Sequence, residues 1–122
     1  NQILSYSGKN FFLFDSNGTL LLKYSLQQAM NDIRGAPVKF EQNKSFFLAI
    51  IAKFSSSIQR SMLCIFDPNG DLVYKELIGT SMCLLPISLP PSDNEDLLVG
   101  EWPNRIYKYS TKRTQVTTLN KS

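Results

Sequence analysis

Two short segments, Asp15-Ser-Asn17-Gly18 and Asp67-Pro-Asn69-Gly70-Asp71, set oxygen-bearing side chains at alternate positions, the way a calcium loop begins. A calcium ion takes about six to eight oxygens, commonly including a bidentate carboxylate. No such carboxylate follows either segment at a suitable spacing, so both are expected to be tight turns rather than metal sites. The chain has no histidine, which removes the commonest general base and the commonest neutral metal ligand. A Ser-His-Asp or Cys-His nucleophile therefore cannot be assembled, and neither GxxxxGK[ST] nor GxGxxG is present. Glu95 and Asp96 are adjacent and would point to opposite faces of a strand. No catalytic residue, metal or cofactor is expected.

Binding chemistry is better represented. The segment Glu101-Trp102-Pro-Asn-Arg105 holds the only Trp between opposite charges. Trp and Arg are enriched where partners bind, because each offers a large contact surface with a polar handle; a Trp102 that caps the end of its own repeat is the simpler reading. Lys9, Arg60 and Arg105 occupy equivalent loops of a repeat described next, so they would present one cation per repeat to an acidic partner or a phosphate. The tentative binding set is therefore Lys9, Arg60, Glu101, Trp102 and Arg105, with solvated loop charges as the simpler alternative.

These residues are positioned by an internal repeat. Phe11-Phe-Leu-Phe-Asp-Ser-Asn-Gly18-Thr-Leu-Leu-Leu-Lys-Tyr24 matches Leu63-Cys-Ile-Phe-Asp-Pro-Asn-Gly70-Asp-Leu-Val-Tyr-Lys-Glu76 without a gap. Asn-Gly between apolar runs is a strong hairpin signal, since both residues tolerate the positive φ of a two-residue hairpin turn. A degenerate third copy, Arg105 to Val116, keeps the pattern and loses the Asn-Gly. With Phe14, Phe66 and Tyr109 in register, the copies lie 52 and 43 residues apart, close to the period of about 40–50 residues of four-stranded blades. A strand precedes each copy, at Gln2 to Ser5, Phe46 to Lys53 and Asp96 to Gly100. A further leading strand is expected at Ala36 to Glu41 and at Ser81 to Ser88, and the chain begins too late to supply one for the first copy. Tyr24 to Arg34, containing Leu26-Gln-Gln-Ala-Met-Asn-Asp-Ile33, reads as a loop or short helix. Pro86, Pro90 and Pro91 with Asp93-Asn-Glu-Asp96 read as an exposed acidic connection.

Phe46 to Ala52 and Met62 to Phe66 are apolar at consecutive positions rather than alternate ones, so both faces of those strands must be covered. The reading is one all-β unit of about 11 antiparallel strands, with repeats at about 1–26, 36–78 and 81–119, or alternatively a small closed barrel. Lys and Arg number 13 against 10 Asp and Glu, spread along the chain without a basic stripe, which speaks against nucleic-acid binding. The longest apolar run falls far short of the roughly 20 residues that a membrane helix needs. Cys64 and Cys83 both lie in apolar runs and are expected to be buried free thiols. Asn-x-Ser/Thr triplets at Asn17, Asn43 and Asn120 are within what chance gives in a chain with nine Asn and many Ser and Thr.

Asp93-Asn-Glu-Asp-Leu-Leu-Val-Gly100, followed by Ile106-Tyr-Lys-Tyr109, resembles the second and third strands of a degenerate blade of the integrin-like and quinoprotein-like β-propellers. The Trp-Asp dipeptide of WD repeats and a complete Asp-rich calcium loop are both missing. The resemblance implies a partial ring of about three blades whose exposed edges and end faces would meet a protein partner or another copy of the chain. It also implies that loops on one face bind a partner; a ligand or enzymatic site in a central channel is the competing implication.

Overall fold

A computed structural model of the chain describes residues 2–41, 45–55, 60–88, 94–112 and 115–121; for residue 82 and residues 111–121 the description is of the backbone. The described residues form eleven strands: β1 (Gln2–Ser7), β2 (Asn10–Asp15), β3 (Leu20–Ser25), β4 (Met30–Val38), β5 (Phe47–Phe54), β6 (Ser61–Phe66), β7 (Leu72–Ile78), β8 (Ser81–Ser88), β9 (Glu95–Glu101), β10 (Arg105–Lys112) and β11 (Gln115–Lys121). They pair antiparallel into three sheets, a three-stranded sheet 1 (β1-β2-β3), and four-stranded sheets 2 (β4-β5-β6-β7) and 3 (β8-β9-β10-β11). The fold is all-β with three open sheets, and the closed-barrel alternative is ruled out because no sheet curls back on itself.

The first two hairpins are superposable in their bonding. Asp15 and Asp67 each accept two backbone N–H groups on Oδ1, from Asn17 and Thr19 and from Asn69 and Asp71, at 2.9–3.0 Å. Gly18 N and Gly70 N donate back to the Asp15 and Asp67 carbonyls. Only the glycines take positive φ, at 84° and 88°, so Asn17 and Asn69 do not adopt the left-handed conformation that a two-residue hairpin turn would require. Each turn instead leads into a bulge, recorded as a register shift at Leu13/Phe14 and at Ile65/Phe66. The aspartates are occupied as turn acceptors, which accounts for their spacing without a cation.

The segment read as a loop or short helix is largely strand. β4 starts at Met30 and pairs with β5 from Met30↔Phe54 to Val38↔Phe47, so the leading strand ends before Lys39 rather than running from Ala36 to Glu41. Leu26 to Ala29 form the link between β3 and β4, and helical preference gives way from Met30 onward to the ladder that β5 offers. Pro86 likewise belongs to β8, opposite Leu97, and Glu95 and Asp96 open β9. Proline is tolerated there because β8 lies at the edge of its sheet, as β4 does with Pro37. Pro90, Pro91 and Asp93 lie outside the described residues.

The central sheet 2 is covered on both sides, as its unbroken apolar runs require. Side chains alternate: Ala49, Ile51, Leu63 and Ile65 pack with Val38, Phe40, Phe47, Leu97, Val99 and Tyr109 toward sheet 3. Ile50, Ala52, Phe54, Cys64 and Phe66 pack with Phe11, Leu26 and Met30 toward sheet 1. Each large apolar side chain so buried contributes about 1.5–3 kcal/mol. The first strands of the sheets converge, β4 lying beside both β1 and β8. One position recurs at each junction: Phe66 meets Phe11 edge-on at 6.0 Å, and Tyr109 meets Tyr74 at 5.7 Å.

Candidate interaction surface

Connections at one end of the stack join into a continuous rim. Leu26 N donates to Lys9 O at 2.8 Å and Met30 N to Gly8 O at 2.9 Å, tying the β3–β4 link to the β1–β2 turn. Ser55 N reaches Ala29 O at 3.0 Å, and Arg60 Nε reaches Ile78 O at 3.2 Å. Ser81, buried, takes its place through Ser61 Oγ and the Gly100 carbonyl. Trp102 N donates to Thr80 O at 2.7 Å, while Glu101 Oε2 accepts Gly79 N–H at 3.1 Å. Neighbouring connections are thus tied from the β1–β2 turn to the β9–β10 loop by main-chain bonds together with the side chains of Arg60, Ser61, Ser81 and Glu101.

The sequence-derived binding residues all lie on this rim, with different roles. Lys9 is exposed in the first turn. Trp102 is 63% exposed and does not cap its own sheet. Arg105 is exposed, 4.0 Å from Glu101 and 3.5 Å from the Tyr107 hydroxyl, which together hold its guanidinium above its ordinary pKa. Arg60 is exposed, with its Nε committed to Ile78 O. Glu101 is different: its side chain is only 12% exposed and it bonds the β7–β8 link, so it builds the rim more than it presents a surface.

Beside Arg60 lies an open depression of about 370 Å³ lined by Asn31, Asp32, Lys53, Arg60 and Thr80. Neither Lys9 nor Arg105 lines it. Lys53 and Asp32 were not legible as candidates, because they come together as register partners across β4 and β5, and the start of β4 is hidden in a segment with helical composition. Asp32 is also engaged, with the Ile33 N–H at 2.9 Å and Arg34 at 3.7 Å.

At the opposite end a larger, mainly apolar groove of about 650 Å³ opens between sheets 1 and 2, lined among others by Leu21, Leu22, Pro37, Phe46 and the Asp67–Gly70 turn. Its origin is a size difference between repeats. Leu22 pairs with Leu13 where Tyr74 pairs with Ile65, and Tyr74 fills the corresponding space between sheets 2 and 3 against Tyr109.

The cysteines separate. Cys64 is buried and its thiol is pushed up to about 12, chiefly by burial, with the Lys75 charge pulling the other way. Cys83, expected in the core, is exposed, because it lies on the face of sheet 3 that no other sheet covers. Among the described residues no group of three His, Cys, Asp or Glu could hold a metal ion. Comparison with family models, with curated proteins and with solved structures gives no match.

Proposed function

We propose that the chain is a non-catalytic interaction module, a segment of a β-propeller whose loop rim binds an acidic protein segment. The supporting observation is the rim itself: a pre-shaped surface that carries exposed Lys9, Arg60, Trp102 and Arg105. Exposed Trp is costly on a free surface and productive in a contact, where its ring is desolvated against a partner. Cations spaced along the rim select acidic segments and speed their capture. The blade reading is supported by the order of the strands, with the leading strands β4 and β8 each at one edge of its sheet and side by side.

A random peptide display library panned on the chain tests this. Recovered peptides are expected to be rich in Asp, Glu and aromatic residues, and binding is expected to fall at least about tenfold, roughly 1.4 kcal/mol, in Trp102→Ala and in Arg60→Ala. Peptides that bind both variants as well as the parent would refute the rim. The depression beside Arg60 favours a second reading, a small anionic ligand; it is distinguished by a melting-temperature rise with a dicarboxylate or inorganic phosphate that Lys53→Ala abolishes and Trp102→Ala leaves intact.

A further inference from the structure

The two outer faces of the stack are the unmatched halves of the interface that the chain already makes twice. Within each sheet one register position faces the following sheet: Phe11 in sheet 1, Leu63 in sheet 2 and Ile106 in sheet 3, equivalent because they pair with Tyr6, Ile51 and Gly100 at the same place in their ladders. Phe11 and Leu63 are 0% exposed, whereas Ile106 is 71% exposed. Another position faces the preceding sheet: Leu48, Leu97 and Ile3, paired respectively with Phe66, Tyr109 and Phe14. Leu97 is 0% exposed and Ile3 is 59% exposed. Phe14 therefore stands where Phe66 and Tyr109 insert against the sheet before them, stacked on Phe12 at 6.2 Å. Leu85 shares the outer face of sheet 3, paired with Leu98 and 52% exposed. Lys108 occupies the position of Leu13 and Ile65 on that face, where its aliphatic stem can lie along apolar surface.

We infer that the outer face of sheet 3 docks on the outer face of sheet 1 of a second copy of this chain, continuing the junction that joins sheet 1 to sheet 2 and sheet 2 to sheet 3. The contact is head-to-tail, and such contacts close into rings when the rotation allows. With three sheets among the described residues, two copies bring six, within the range of about four to eight blades that close a ring. Area argues for closure as well. A face of three or four strands about six residues long covers roughly 300–400 Å², so the two faces used together bury roughly 600–800 Å² per copy, near the approximately 800 Å² per partner of a standard stable interface. Ile106 of each copy then lies against Phe14 of the other.

The inference rests on the blade reading above and not on what the rim binds. Light scattering of the 122-residue chain at about 50 µM, above the micromolar or tighter dissociation constants common for such areas, is expected to give twice 13.8 kDa. Ile106→Asp and Phe14→Asp are each expected to give monomers with an unchanged far-ultraviolet circular dichroism spectrum. Leu77→Asp, at an exposed apolar residue on neither outer face, and Trp102→Ala on the rim are expected to stay dimeric, so loss of the dimer and loss of peptide binding are read separately. Under oxidation in a Cys83→Ala background, Ile106→Cys chains are expected to cross-link to Phe14→Cys chains and not to each other. A monomeric parent, a dimeric Ile106→Asp chain or self-linking of Ile106→Cys would each overturn the inference.

Discussion

Tyr109→Phe tests how sheets 2 and 3 are held together. Tyr109 is 0% exposed, and its hydroxyl donates to Glu76 Oε1 at 3.0 Å, a carboxylate oxygen that also accepts the Tyr74 hydroxyl. Phenylalanine keeps the ring and its edge contact with Tyr74 at 5.7 Å, so no ring-sized cavity forms. What is lost is one hydrogen bond to a charged acceptor, about 1.5–3 kcal/mol, with Glu76 still partnered by Tyr74. Urea unfolding at pH 8 and a fixed chain concentration should show that loss. The pH dependence is more discriminating. Burial first, then the hydrogen bond and charge of Glu76, hold the Tyr109 hydroxyl far above its ordinary value of 10.0. A raised value means that the stabilisation is complete below pH 10, where the unfolded chain also keeps its proton. Above pH 10 the unfolded tyrosine ionises while the folded one does not, and the parent loses about 1.4 kcal/mol per pH unit from this residue. Tyr109→Phe has no such proton to lose. The gap between parent and variant should therefore shrink by about 1.4 kcal/mol between pH 8 and pH 11, about 1 kcal/mol of it above pH 10. Losses common to both chains cancel in the comparison. A gap that is the same at pH 8 and pH 11 would refute the assignment of Tyr109 as a buried donor to Glu76.

Two further outcomes follow from residues at known positions. Cys64, raised from 9.0 to about 12 by burial, contributes stability that is complete below pH 9 and declines by about 1.4 kcal/mol per pH unit as the pH climbs toward 12; Cys64→Ala should lack that decline, and a thiol reagent should label one cysteine in the native chain, Cys83, and two after unfolding. Gly18→Ala and Gly70→Ala should each cost about 1–2 kcal/mol in urea unfolding, because an added Cβ meets nothing within 4 Å and the penalty is purely that of positive φ; unequal or negligible losses would mean that the two turns are not built alike.

Eleven strands and the division into hairpins were legible because local chemistry marks them. Asp-x-Asn-Gly after an apolar run bends the chain by bonds that reach no further than four residues, so the turn is written where it occurs. The demand for cover on both faces of β5 and β6 was legible for the same reason, since successive apolar residues on a strand point opposite ways. Cys83 was misplaced because its exposure is decided at long range, by which face of sheet 3 receives sheet 2. β4 was misread at its start because composition favoured a helix where the partner strand decided otherwise.

The two surfaces of the chain follow from the same alternation. Strand register sends every second side chain to the preceding sheet and the rest to the following one; the position that buries Phe11 and Leu63 stays apolar at Ile106, while the position that buries Leu13 and Ile65 becomes Lys108. What the outer faces can hold is therefore set by the docking of sheets. The rim is not: its loops vary in length between copies, and they are tied by main-chain bonds and a few side chains, among them Arg60 and Glu101. Variation confined to Lys9, Arg60, Trp102 and Arg105 could change what is bound without disturbing the two apolar clusters beneath, provided that Glu101 keeps its bond to Gly79. Recognition and assembly are in this way carried by different residues on one scaffold.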